Sequence, residues 1–246
     1  MIYHMLPGDA QFAAFKESGI DGEMLVCRET LVEGDLSGDT LDDFFQNRAA
    51  FINGTYDSDP SVYNATVASQ FKKLAELNDN DEINLWFEYE LFCATNMWFC
   101  LDLVSKTSAS VYRVEPIYLT RENRWDGFGG VTPQQMRECF HSRTKLTADD
   151  IALGSTLWTA YRNNDRSELE KLSKVTSLAF PCLNEVCEAA VTKDSRPSEI
   201  VQQIQSEGIT GFDNLFPEFK KRAGVYGFGD SQVRRLMSDP PSAASA

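Results

Sequence analysis

Histidine is nearly absent from this chain: its 246 residues hold only His4 and His141. That shortage leaves little choice of base for a serine or cysteine hydrolase, and it disfavours the histidine-rich ligand sets of most zinc sites. No G-x-S-x-G occurs either, so the strand–turn–helix nucleophile of the α/β-hydrolases is missing. Long apolar runs are lacking. The closest, Leu91 to Val104, carries Asn96 and Asp102 and is shorter than the roughly 18 apolar residues of a membrane span, so it reads as a buried helix. The first residues carry no basic segment, and Pro7-Gly8-Asp9 interrupts their apolar start; no export signal is expected there, and the expected location is cytoplasmic. None of the six cysteines forms a C-x-x-C pair. Cys27, Cys93, Cys100, Cys139, Cys182 and Cys187 lie on apolar segments, which points to free buried thiols rather than disulfides.

Positive charge is scarce in the first half. Residues 1 to 110 hold 6 Lys+Arg against 19 Asp+Glu, a balance of −13, whereas the whole chain stands at −14. An acidic half repels nucleic-acid phosphate, and its plainest consequence is solubility. Apolar content is nevertheless 42%, enough for a buried core in a chain of this length.

The pattern of that apolar content alternates. Ile2 to Leu6, Glu23 to Cys27, Glu82 to Phe87 and Ser110 to Val114 read as strands, each ending in a turn or a polar cluster. Helical patterns lie between them, over Gln11 to Ser18, from Thr40 to Asn53-Gly54, from Asp59-Pro60 to Leu77, and from Leu91 to Leu103. Strands alternating with helices predict an α/β fold with an open, mainly parallel, Rossmann-like sheet at the N-terminus. From Ile117 the chain reads as loops and helices, so the C-terminal half is predicted to be mostly helical. The predicted organisation is an α/β domain over 1–118, a helical region over 119–192, a small helix-turn-helix-like module over 193–238 and a disordered Pro/Ser/Ala-rich tail over 239–246.

In an open parallel sheet, ligands bind beyond the carboxyl ends of the strands. The strand ends here carry Gly8-Asp9, Arg28-Glu29, Glu88-Tyr89-Glu90 and Glu115. Pro7-Gly8-Asp9-Ala10-Gln11 occupies the place of a phosphate-binding turn but is neither G-x-G-x-x-G nor a P-loop; Gly8 making the turn and Asp9 capping the helix explains it as well. Arg28 can grip a carboxylate or phosphate with two parallel bonds, or form an ion pair with Glu29, Glu33 or Asp35. Glu88 and Glu90 bracket Tyr89 and can offer oxygen ligands to Mg²⁺, or stand simply as a loop residue and a first-turn carboxylate. Cys93, at the start of the next helix, fits a nucleophile or a buried structural thiol. The expected ligand site is therefore Asp9, Arg28, Glu29, Glu88 and Glu90 together. No catalytic residue and no metal ligand set is assigned.

Several of these segments resemble a known family. Cys27-Arg28-Glu29-Thr30-Leu31-Val32-Glu33-Gly34, Leu85-Trp86-Phe87-Glu88-Tyr89-Glu90-Leu91-Phe92-Cys93, Gly127-Phe128-Gly129-Gly130-Val131-Thr132-Pro133-Gln134-Gln135 and Ala160-Tyr161-Arg162 resemble the bacterial domain-of-unknown-function family DUF1835. The resemblance implies an α/β first domain with a helical remainder and places Arg28, Glu29, Glu88 and Glu90 in one shared motif. It implies no reaction. The chain departs from the family pattern at Tyr89, usually histidine, and at Ala94, usually glutamine.

Two functions follow as expectations. The first is a cytoplasmic protein that binds a small polar ligand, such as a nucleotide or phosphorylated metabolite, at the strand ends, with a metal-assisted phosphoryl or hydrolytic reaction left open. The second is a non-enzymatic interaction or regulatory protein acting through its C-terminal helices. Nucleic acid is not an expected partner of those helices, because residues 191 to 246 hold 7 Lys+Arg and 7 Asp+Glu and so present no net basic balance. Nothing in the sequence sets an oligomeric state.

Overall fold

A computed structural model describes residues 1–238 of the chain. The disordered tail expected over 239–246 lies outside the described residues. The sheet has five strands, β1 (Ile2–Leu6), β2 (Glu23–Val26), β3 (Glu82–Trp86), β4 (Ser110–Val114) and β5 (Thr144–Lys145), in the order β2-β1-β3-β4-β5. The first four are mutually parallel where they pair, with Tyr3 opposite both Glu23 and Ile83, and β5 joins β4 antiparallel. The fold is thus α/β with a mostly parallel sheet and a mostly helical C-terminal half, as the strand–helix alternation predicts.

Period-two alternation sends successive side chains to opposite faces. Tyr3, Met5, Leu25, Ile83, Leu85 and Val111 enter one large apolar cluster, while Leu6, Trp86 and Val114 enter a smaller one with Phe15, Phe128, Met136 and Cys139. The smaller cluster lies under α1 (Phe12–Ser18) and α6 (Pro133–His141), which pack on each other. The larger lies under α2 (Leu41–Tyr56), α4 (Ser69–Ala75) and α5 (Leu91–Val104) and runs on without interruption into α7 (Ala148–Arg162), α8 (Arg166–Leu172), α9 (Leu183–Thr192), α10 (Arg196–Ser206), α11 (Phe212–Ala223) and α12 (Asp230–Ser238). Burial of this surface, at about 25 cal/mol per Å², is the main force holding the helices to the sheet.

Helix starts follow local chemistry. Thr40, Thr132 and Thr147 each accept from the backbone N–H three residues on, while Asp43, Gln135 and Asp150 reach back to the threonine N–H. Each such reciprocal pair satisfies two amide donors that the first turn leaves open. Three boundaries differ from the sequence pattern. Helix α2 runs through Asn53-Gly54 and ends at Asp57, which adopts φ 54; one glycine costs only about 1 kcal/mol in a helix, less than the packing it continues. The apolar pattern over Leu178 to Val191 reads as one helix, but α9 begins only at Leu183, after Pro181, and leaves Leu178 94% exposed. The helix restarting at Pro60 is short (α3, Pro60–Tyr63) and passes through a widened turn at Asn64–Ala68 before α4. No helix among the described residues is long and apolar enough to cross a membrane.

Candidate functional site

The chain leaves β1 toward β2 on one side and returns to β3 on the other, so the connections diverge between β1 and β3. Such a divergence opens a crevice at the strand ends. Phe87 to Glu90 form the loop that leaves β3 there, and α5 starts immediately after it. Glu90 is the N-cap of α5: its Oε1 accepts from the Cys93 N–H at 3.1 Å. An N-cap side chain and the residue three positions on share one side of a helix start, so Glu90 and Cys93 are brought together by local geometry alone.

Glu88 completes the group. Its Oε1 accepts from the Phe128 N–H at 2.5 Å, and its Oε2 lies 3.7 Å from Cys93 Sγ. One donor atom from each of Glu88, Glu90 and Cys93 falls within 4.8 Å of the others. Glu90 is only 4% exposed, and its Oε2 has no hydrogen-bond partner. A buried, unpartnered carboxylate oxygen is costly unless something neutralises it. Burial, reinforced by the neighbouring Glu88, pushes the Glu90 carboxyl up to about 8. Burial also raises Glu88, against the opposing pull of the Phe128 N–H, the Cys93 thiol and the Lys220 charge. The Cys93 thiol is pushed well above its ordinary value by burial and by both carboxylates, so the activated nucleophile allowed by its helix-start position is not formed in this state.

Two glycines make room for the carboxylates. Gly127 has φ 62 and Gly227 φ 67, and a Cβ added at either would overlap Glu88 or Glu90 respectively. Both glycines therefore serve a close approach as well as a left-handed backbone. Over the pair opens a cavity of about 210 Å³, lined further by Trp125, Phe216, Lys220 and Phe228. A larger groove, about 500 Å³, lies between the 31–39 loop and the end of α7, but its two cations are already engaged: Arg162 donates to the Gly38 carbonyl and Lys193 pairs with Asp194.

The other three residues expected at the site go elsewhere. Asp9 and Arg28 pair with each other through two 2.7 Å bonds at the surface, and Arg28 donates additionally to the Thr66 carbonyl. Asp9 does not cap a helix; Gly8 precedes the first turn with no side-chain bond. The Arg28 guanidinium holds the Asp9 carboxyl below its ordinary value. An exposed pair of this kind contributes little, and Arg28→Ala is expected to lower stability by less than about 1 kcal/mol in urea melts. Glu29 is 2% exposed and bonded to Arg48, which is fully buried; Tyr63 and the Thr30 N–H lie against the same carboxylate. Arg28 and Glu29, adjacent in sequence, thus part company: one faces solvent and the other is locked in the core. Only Glu88 and Glu90 of the five line the cavity.

Neither histidine joins Cys93. His4 accepts from the Trp86 indole through Nδ1 and bonds the Asp21 carbonyl through Nε2, and burial lowers its pKa; this fixes a neutral ring within the sheet's smaller apolar face. His141 ends α6 at the surface. Tyr89 and Ala94 line one small cavity of about 20 Å³ beside Arg113, whose guanidinium lies 5.5 Å from the Tyr89 ring.

No family model, curated protein or solved structure matches the chain. Sequence pattern singles out neither Lys220, one of seven cations in a charge-balanced segment, nor Gly227 and Phe228. The Glu-x-Glu-x-x-Cys spacing was visible, but its meaning depends on Glu90 being the N-cap of α5.

Proposed function

We propose that the protein is a cytoplasmic binder of a small polar ligand, taken up at the C-terminal ends of the parallel strands in the cavity over Glu88 and Glu90. The ligand presents a positive or hydrogen-bond-donating group to the two carboxylates. The observation that carries this reading is the buried Glu90 Oε2, which lacks a partner and belongs to a residue lining the 210 Å³ cavity. The cytoplasmic setting rests on the six free cysteines. The resemblance to DUF1835 belongs to the same proposal, since its most specific segment, residues 85–93, contains both carboxylates. A phosphorylated ligand has weaker support: Arg28 is engaged by Asp9 at the surface, away from Glu88 and Glu90.

The alternative, an interaction or regulatory role for the C-terminal helices, has less to stand on. Arg222 pairs with Glu207 and Glu218, Arg235 with Glu33, and Arg234 lies over the Phe212 ring, so these cations serve contacts within the chain.

The test is a thermal-shift panel of mono-, di- and polyamines, amino acids and nucleosides, run on the wild type and on a Glu88→Gln/Glu90→Gln variant. A ligand at a hundred times its Kd adds about 2.7 kcal/mol, a shift of roughly 5–10 °C for a chain of this size. At least one compound is expected to produce such a shift in the wild type and to lose it in the variant. No shift across the panel, or a shift that survives in the variant, overturns the reading.

A further inference from the structure

We infer that the positive group received by Glu88 and Glu90 is a divalent transition-metal ion of the zinc class, with Cys93 as its third protein ligand and a fourth position open to the cavity. The inference rests on the ligand-binding reading above and deepens it: the small polar ligand completes the shell of a metal ion. The three donors already lie within 4.8 Å of one another, and the 3.7 Å between Cys93 Sγ and Glu88 Oε2 matches two neighbouring corners of a tetrahedron built on metal–sulfur and metal–oxygen bonds of about 2.3 and 2.0 Å.

Each carboxylate is held by one oxygen. Phe128 N–H fixes Glu88 Oε1, and Cys93 N–H fixes Glu90 Oε1, leaving the Oε2 atoms for the ion. Such outer hydrogen bonds orient a metal's ligands and set its coordination geometry. The unpartnered, buried Glu90 Oε2 is a second pointer to a cation site, independent of the clustering of acids. Gly127 and Gly227 leave the carboxylates the space that any side chain there would take.

The donor types select the metal. Mg²⁺ and Ca²⁺ take six or more hard oxygen ligands, and a thiol beside two carboxylates offers them nothing. Thiolate favours zinc and its neighbours. On binding, the ion displaces the thiol proton and forms a metal–sulfur bond, and the proton passes to solvent. Two carboxylates and a thiolate around a divalent ion leave one net negative charge, and Lys220 on the cavity wall is placed to balance it. Mg²⁺, to which Glu88 and Glu90 can also offer oxygen ligands, is disfavoured by the Cys93 thiol beside them.

The test uses the full chain, stripped with a chelator and titrated with Co²⁺. One equivalent is expected to produce visible bands and a near-ultraviolet thiolate-to-cobalt absorption, both abolished by one equivalent of Zn²⁺. Cys93→Ser is expected to lose the near-ultraviolet band, Cys182→Ser to keep it, and Glu90→Gln to weaken Co²⁺ binding at least tenfold. X-ray absorption of the zinc-loaded wild type, which needs no variant to fold, is expected to show one sulfur and otherwise oxygen neighbours. Absence of the thiolate band in the wild type, its survival in Cys93→Ser, or a zinc shell without sulfur overturns the inference. Stabilisation by an amine in the panel, with no Co²⁺ binding, overturns the metal and leaves the cavity reading standing. Stoichiometric Co²⁺ binding with the thiolate band, and no response to the panel, supports the metal and removes the organic ligand from the cavity reading.

Discussion

A chain carrying Glu90→Gln is expected to be more stable than the wild type in the absence of any ligand, by on the order of 4 kcal/mol at pH 8 and by much less at pH 5. In the unfolded chain Glu90 ionises near its ordinary value of 4.5, whereas in the folded chain burial, then Glu88, hold it up to about 8. Below pH 4.5 the group is protonated in both states and costs nothing. As pH rises toward 8 the unfolded state releases its proton and the folded state keeps it, so the equilibrium moves toward unfolding throughout that window. Glutamine removes the ionisation while keeping the shape. Its Oε1 still accepts from the Cys93 N–H, and its Nε2 can donate where Glu90 Oε2 has no partner. Urea melts of both chains at pH 5, 6.5 and 8 read the difference. A gap that stays constant or narrows with rising pH would show that Glu90 does not carry the charge penalty. A binding site that weakens the empty protein is a common arrangement, because the group that waits for a ligand is unsatisfied without one. A bound cation is expected to reverse the order of the two chains.

How far this site could be read from the sequence depends on which forces fix each residue. Ile2–Leu6 and Ser110–Val114 are legible because each is a short apolar run closed by a turn signal, and both fall where the pattern puts them. Glu88 and Glu90 are legible for the same reason, as the polar end of such a run. Strand β5 is not: Thr144 and Lys145 are exposed, carry no apolar alternation, and are a strand only through pairing with Arg113 and Tyr112. Asp9, Arg28 and Glu29 also follow strand ends, yet they do not reach the cavity. What separates Glu29 from it is Arg48, nineteen residues on, which reads in sequence as one more polar position on a helix and turns out to be fully buried. The cavity walls come from farther still, with Trp125 in a single 3-10 turn (Arg124–Asp126) and Phe216 and Lys220 on α11. Local pattern sets the elements and their caps; the long-range pairing of a charge or the docking of a distant helix has no local signature.

Arg48→Ala is expected to lower stability by roughly 3–5 kcal/mol, the range for removing one partner of a buried ion pair. Arg48 and Glu29 both have fully buried side chains. The guanidinium donates to both Glu29 oxygens and to the carbonyls of Thr30, Glu33 and Asp35, and it lies 4.7 Å from the Phe51 ring centre. It therefore ties the whole 29–35 loop to α2, and alanine leaves three carbonyls and a carboxylate without their donor. Burial already raises the Glu29 carboxyl, and Arg48 is the main force opposing that rise. Arg48→Lys is expected to recover little, since one ammonium cannot reproduce the planar fork that meets four acceptor groups. Arg48→Met combined with Glu29→Gln is expected to recover part of the loss, because the orphaned carboxylate is then removed as well. The same variants separate the loop from the cavity. If Glu29 serves the fold and Glu88 with Glu90 serve the ligand, the double variant unfolds earlier in urea but keeps the wild-type Co²⁺ titration. A stable double variant with a lost titration would instead place Glu29 in the site.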